Sequence, residues 1–469
     1  MDLSLKVAVF YIITSYLAYI VTFVLYRTWY PSLRNIPGPE SPSWLYGNIP
    51  QLVFAKCYGD HEFQWQKCIR ENVQTEGMPG DKLFTSDPVA LKYVFKNNRI
   101  FTKGYYHRQL VWMLMGEWSI FRIFHDVHAR IRPVLNTAFS QARIQHTFPT
   151  LRGVSMRVTD KLEEIIGSNT SNVQVVNIYH LLQHATADVV AEVKENEKRN
   201  YSTKLSADEL KDQIPTMLIA GQDTTGNSLA FAILELARHP EWQGKIREEI
   251  LQLQGDLNCS SLDKLVYLNA HIKETLRYHP ILPNTERLAT EDTFLPLSKP
   301  IKTNSGHTLT QLHIKKGQLV TIGLASYNRD PDIWGNDAHC FDPYRWIDER
   351  STKLPGGTSF GPYANIASFI GGPHTCLGWR LALLGMQVIL ADLVSKFSFE
   401  EAGDVVIRPC VAVTMQPVSE KGLPHLPLRV KKRLDHKHDL PNSVTALSSC
   451  SVPAYYEINN LKNDFLHIQ

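Results

Sequence analysis

The amino-acid sequence predicts a mainly α protein with a small β region, and three observations carry that expectation. Apolar residues recur at helical spacing over residues 127–139, 151–166, 177–193, 207–238, 240–253, 270–278 and 377–397, the period of helices that bury one face. Extended, turn-rich sequence is confined to a few places. These are a mixed region over 50–105, with a strand-like 82–85 before a helical 88–96, then 281–320 and the Pro/Gly-rich 330–372. Finally, 469 residues with 43% hydrophobic and 20% charged content can bury a large core, which excludes a disordered chain.

In chain order, residues 7–26 form an uncharged run broken only by the hydroxyls of Thr14, Ser15 and Thr22. A helix of that length spans roughly 30 Å, the thickness of the hydrocarbon layer. Arg27, Tyr30 and Arg34 follow it rather than a small-residue cleavage site, which favours a retained anchor with the rest of the chain in the cytosol. The sequence therefore divides into a transmembrane anchor (1–30), a proline-rich connector with Pro37, Pro39 and Pro42 (31–49), one large domain (50–432) and a polar, loosely ordered tail (433–469). Within the domain, Ser206 and Glu209 form a capping box that opens the helix over 207–238, and Pro215 should bend it. A net charge of +3 gives no electrostatic case for nucleic acid. Seven scattered cysteines are not a disulfide framework and suggest a reducing compartment. No paired-cysteine zinc spacing or phosphate-binding loop is present.

The chemistry-bearing stretch runs from Phe369 to Gly378, ahead of the apolar helix that begins at Leu377. A lone cysteine is most often an inert buried thiol. Cys376, however, stands at a helix N-terminus, where the dipole and free N–H groups favour thiolate. Gly371, Gly372 and Gly378 let the backbone approach a large planar ligand, and Phe369 offers a flat face to exclude water. A thiolate so placed is a haem-iron ligand.

The string resembles the haem-binding signature of the cytochrome P450 superfamily, and further motifs resemble that family in the same order. Ala220–Thr225 (AGQDTT) is similar to its central-helix motif. Glu274 and Arg277 resemble its E-x-x-R, and Phe341–Trp346 (FDPYRW) its later F-x-P-x-R segment. His128 and Arg132, ahead of 136–140, look like its propionate-binding helix. The anchor and proline connector are similar to microsomal, notably fungal, members. The resemblance implies a P450-like fold and bound haem b, with Cys376 as the axial metal ligand. It also implies a haem pocket built with Phe369, Gly372, His374, Gly378 and Gly221. The implied reaction inserts one atom of O2 into an apolar small-molecule substrate, with electrons from NADPH through NADPH–cytochrome P450 reductase. The implied place is the endoplasmic reticulum membrane, catalytic domain to the cytosol.

Glu274, Arg277 and Arg345 then form a buried structural triad, where a lone i, i+3 pair would be a solvated face. In the central helix, Gly221 clears space over the iron, Thr224 bonds back to a carbonyl, and Asp223 with Thr224 forms an acid–alcohol pair able to relay protons to dioxygen. Candidate propionate partners are His128, Arg132, Arg287 and His374, the last standing where most members have arginine.

The pattern breaks at 193–205. After Val193 the sequence reads as a short charged loop, Lys194 to Asn200, and enters the central helix with no apolar period for the helices that normally roof the substrate chamber. A fold lacking that roof is the expectation. The alternative readings of function are a truncated haem-binding remnant without turnover, or a haem-thiolate isomerase or dehydratase that needs no reductase.

Overall fold

A computed structural model describes residues 3–433 except 30–32, 34, 44–45, 70–71, 76–80, 168–172, 202–204, 254–255, 349–359, 404 and 421. The expected tail beyond Arg433, and part of the connector, lie outside the described residues. The chain forms two compact units, one of Met1–Ala55, His61–Gly104 and Thr285–Gly323, the other of Lys56–Asp60, Tyr105–Asn284 and Leu324–Gln469.

In the first unit, helix α1 (Leu3–Trp29) holds the apolar run. Large apolar side chains along it, such as Phe10, Ile12 and Leu17, are exposed. Among the described residues no helix is long and apolar enough to cross a membrane; the side chains of Phe23, Val24 and Tyr26 lie outside that set. Helices α2 (Ile49–Val53), α3 (Glu62–Ile69) and α4 (Pro88–Lys96) follow. Asp87 caps α4 by accepting from the N–H groups of Val89 and Ala90, both at 2.9 Å, beside a proline whose missing N–H costs nothing at that position. A five-stranded sheet joins β1 (Asn72–Thr75), β2 (Lys82–Thr85), β8 (Leu319–Gly323), β5 (Asn284–Ala289) and β3 (Phe101–Thr102) in that spatial order. The β2–β8 pair is parallel, with Leu83 opposite Val320, whereas β1–β2 and β3–β5 are antiparallel. Strands β6 (Thr293–Lys302) and β7 (Thr308–Ile314) make a separate hairpin.

The second unit is largely helical: α5 (Tyr105–Met115), α6 (His125–Ala138), α7 (Gln141–His146), α8 (Phe148–Gly167), α9 (Ile178–Tyr201), α10 (Ala207–Arg238), α11 (Pro240–Leu251), α12 (Cys259–Asp263), α13 (Val266–Tyr278), α14 (Leu324–Asn328), α15 (Pro331–Trp334) and α16 (Trp379–Lys396). Strands β4 (Val173–Asn177), β12 (Pro427–Lys432) and β9 (Phe397–Glu401) form a small sheet, and β10 (Arg408–Val411) pairs with β11 (Met415–Val418). The second half of α10 is buried on every side, Leu229 to Leu234 included, as a helix that is apolar all round must be. Its first turn carries the anticipated capping box between Ser206 and Glu209.

Two expectations change. The charged stretch Lys194 to Asn200 is not a loop: it continues α9 to Tyr201. Lys, Glu and Arg are good helix formers, and apolar periodicity reports only which face is buried. Residues 202–206 separate α9 from α10. Helix α5 falls in a segment with little sequence pattern because Val111 and Met115 are buried while Tyr106, Leu110 and Met113 are exposed. Cys57, Cys259, Cys376 and Cys410 are free thiols, but Cys340 is disulfide-bonded.

Candidate functional site

The loop ahead of α16 holds Cys376 in a strained turn. Ala364 (φ 50°), Asn365 (φ 57°) and Ile370 (φ 57°) all occupy the left-handed region, which is costly for a β-branched residue and persists only where the surroundings enforce it. Gly361 is needed there: a Cβ would lie 2.7 Å from the Ile366 carbonyl oxygen. The Cys376 N–H donates to the Phe369 carbonyl at 2.9 Å, and the Thr375 N–H and hydroxyl both donate to Gly372 O at 3.1 and 2.7 Å. Cys376 is solvent-accessible, yet protein atoms crowd its sulfur. That burial raises the thiol pKa and outweighs the Gly378 N–H, the Arg132 charge and the Trp379 N–H, which all favour thiolate. A metal cation at the sulfur would reverse the balance. A Cβ on Gly378 would meet only Phe139, at an ordinary 3.7 Å, so the chain's own packing does not demand that glycine. Phe369 is buried beside Trp379.

Helix α6 supplies His128 and Arg132 one turn apart. The His128 ring centroid is 4.2 Å from that of His374, and Arg132 Nη2 donates to the Thr375 carbonyl. Burial lowers the Arg132 pKa, opposed by Cys376. Three of the four cationic candidates therefore gather on the Cys376 loop. Arg287 lies in the first unit, on β5, where its Nη1 donates to Thr285 Oγ1 at 2.9 Å and Glu286 O at 2.8 Å, and burial pushes its pKa down to about 10.

On α10, Thr224 Oγ1 donates to Ala220 O at 2.6 Å, the back-bond expected of it. Asp223 keeps exposed surface, but the protein packed against it raises its carboxyl pKa. Sequence reading missed Tyr179. Burial and then the Asp223 charge raise its phenol pKa, while a Gln183 hydrogen bond lowers it. Gln183 Nε2 donates to Asn227 Oδ1 at 2.9 Å, and Asn227 Nδ2 to Thr414 Oγ1 at 3.2 Å. The signal was available as polar Tyr179 and Gln183, four apart on one helix. At Gly221 a Cβ would lie 2.5 Å from Val190 Cγ2 of α9, so the residue also lets α9 and α10 approach closely.

The triad is buried and larger than expected. Arg277 grips Glu274 twice, Nη2 to Oε1 at 2.7 Å and Nε to Oε2 at 2.9 Å, with both side chains fully buried. Its remaining donors reach the carbonyls of Asn328, Ala338 and Cys340. Arg345 stands 3.7 Å from Glu274 and binds Asp337 more closely, at 3.1 Å. The Trp346 indole and the Asp342 N–H complete the carboxylate's partners. Burial would raise the Glu274 pKa; Arg277, and then Arg345, outweigh it and hold it below the usual range.

Fold and loop geometry define a protein built around a cysteine-bearing loop at the start of a buried helix. The family profile described as cytochrome P450 matches residues 191–421. Cytochrome P450 monooxygenase 205 of Postia placenta is 25% identical over 515 residues, 85% of this chain and 93% of that protein. Monooxygenase 91 of the same fungus is 33% identical over 232 residues, and the ganoderic acid synthetase of Ganoderma lucidum 34% over 237; each alignment covers 49% of this chain and 43% of the relative. At that higher identity the chain thus spans less than half of the relatives' length. Retinoic-acid-bound cyanobacterial CYP120A1 superposes with a TM-score of 0.67 at 20% identity, over 85% of this chain and 99% of that one, which shows the fold. The chain belongs to the cytochrome P450 family, with haem as its cofactor. A free thiol met by backbone N–H groups, and the cations beside it, suit that group.

Proposed function

We propose that the protein is a haem-dependent monooxygenase that inserts one atom of O2 into an apolar small molecule, with electrons from NADPH through NADPH–cytochrome P450 reductase. The observation that carries this reading is the strained loop that sets Cys376 just ahead of α16, its N–H bonded to Phe369 O and Arg132 bonded to the adjacent Thr375 carbonyl. Haem bound there supplies the activation of dioxygen, which no side chain provides. Cys376 would hold the metal, and Phe369 would shield it. His128, Arg132 and His374 offer donors to the propionates. Thr224 holds a proton at Oγ1, and Asp223, its pKa raised, resupplies it. Relatives named as monooxygenases support the reaction class. The apolar, exposed α1 supports a place on the endoplasmic reticulum membrane, facing the cytosol.

A second reading, haem binding without turnover, is favoured by one observation. Helix α9 passes almost directly into α10, and the 515-residue alignment is longer than this whole chain, so that relative carries residues with no counterpart here. A missing roof would admit water to the site. Reconstitution with reductase and NADPH decides between them. The monooxygenase reading expects product carrying one atom from labelled O2, and a larger peroxide share in Thr224→Ala. NADPH consumption that ends wholly in peroxide, or none, establishes the second.

A further inference from the structure

Between α5 and α6 lies a cavity of about 300 Å³ that the chemistry above does not use. Trp118, Ile123, Phe124 and Val127 give it apolar walls, while Arg108, Glu117 and Arg122 give it charge. The walls are built in advance of any ligand. Asp212 Oδ2 of α10 accepts from the Trp118 N–H at 2.8 Å, Gln213 accepts from the Ile120 N–H at 3.1 Å and donates to Trp118 O at 2.6 Å, and Thr216 Oγ1 bonds Ser119 Oγ at 2.8 Å. Gly116 (φ +95°) permits this approach, because a Cβ would stand 2.2 Å from Asp212 Cγ. His125, at φ 53°, closes the turn in a conformation that costs energy unless enforced.

The two guanidinium groups differ. Arg122 is engaged: its Nη1 donates to the Glu117 carbonyl at 2.9 Å, with the carboxylate 3.8 Å away. Arg108 lies 5.1 Å over the Phe124 ring, and its buried Nε has no hydrogen-bond partner among the described residues. A buried unmade N–H bond is costly, and a carboxylate is the group that satisfies a guanidinium edge with two parallel bonds. Two cations against one anion leave the cavity complementary to a monoanion, and its volume matches the small end of ligand sites.

We propose that this cavity binds the carboxylate of an amphipathic organic acid through Arg108, with the apolar body against Trp118 and Phe124. It rests on the monooxygenase reading only in making that acid the substrate. The same chemistry could come from a propionate of the porphyrin, and the test separates the two. Equilibrium dialysis of the haem-loaded chain compares 1-naphthylacetate with neutral 2-(1-naphthyl)ethanol, in the unaltered protein, Arg108→Gln and Arg108→Lys. The acid should bind about tenfold tighter than the alcohol, as a charge-assisted pair allows. Arg108→Gln should lose that preference and Arg108→Lys keep part of it, with haem content equal in all three. Equal affinity for acid and alcohol overturns the proposal, as does loss of haem from Arg108→Gln with the acid preference intact. Dialysis needs no turnover, so a chain that prefers the acid yet oxidises nothing keeps this inference and loses only the monooxygenase reading.

Discussion

Glu274 and Arg277 show how surroundings decide what a residue pair does. Three apart on a helix, such a pair is ordinarily worth about 0.2–0.5 kcal/mol. Here both are fully buried, and Arg277 also serves three backbone carbonyls. Arg277→Gln removes the charge partner and leaves a buried carboxylate, so it should cost about 3–5 kcal/mol, read as a lower midpoint of urea unfolding. A change within 1 kcal/mol would mean that Arg345, Trp346 and Asp342 suffice. The spacing of Glu274, Arg277 and Arg345 was legible in the sequence. Asp337 was not, because nothing local marks a carboxylate eight residues before its arginine as the closer partner. The same holds at the cysteine: the glycines and Cys376 were legible, whereas the left-handed Ala364, Asn365 and Ile370 leave no trace in residue type.

At the scale of elements, local signals served well where they were strong. Helix α10 has the expected bounds because its capping box and its apolar run agree. The contact between α9 and α10 was hidden, since it depends on the absence of side chains. Gly221 leaves room for Val190, and Gly226 for the Gln183 amide, which would lie 2.8 Å from a Cβ. Gly221→Ala should therefore cost about 1–3 kcal/mol through overpacking. Adding Val190→Ala should recover most of that loss in thermal or urea unfolding. If Gly221→Ala left stability untouched and changed only the haem absorption, the glycine would serve the cofactor and not the helix contact.

For the whole molecule, the sequence disclosed a mainly α fold with a small β region, and family resemblance supplied the rest. Pairings between distant segments, such as parallel β2–β8 joining 82–85 to 319–322, follow from tertiary context that periodicity does not encode. The division into two units was equally invisible, since each is assembled from segments far apart in sequence. The proposed function rests on one bond that the Cys376 sulfur would make to haem iron. Reduced recombinant protein saturated with carbon monoxide tests it most directly. The account predicts the strongly red-shifted Soret band of a thiolate-ligated haem, absent from Cys376→Ala; no haem uptake, or a Soret band at the position of histidine-ligated haem, would contradict it.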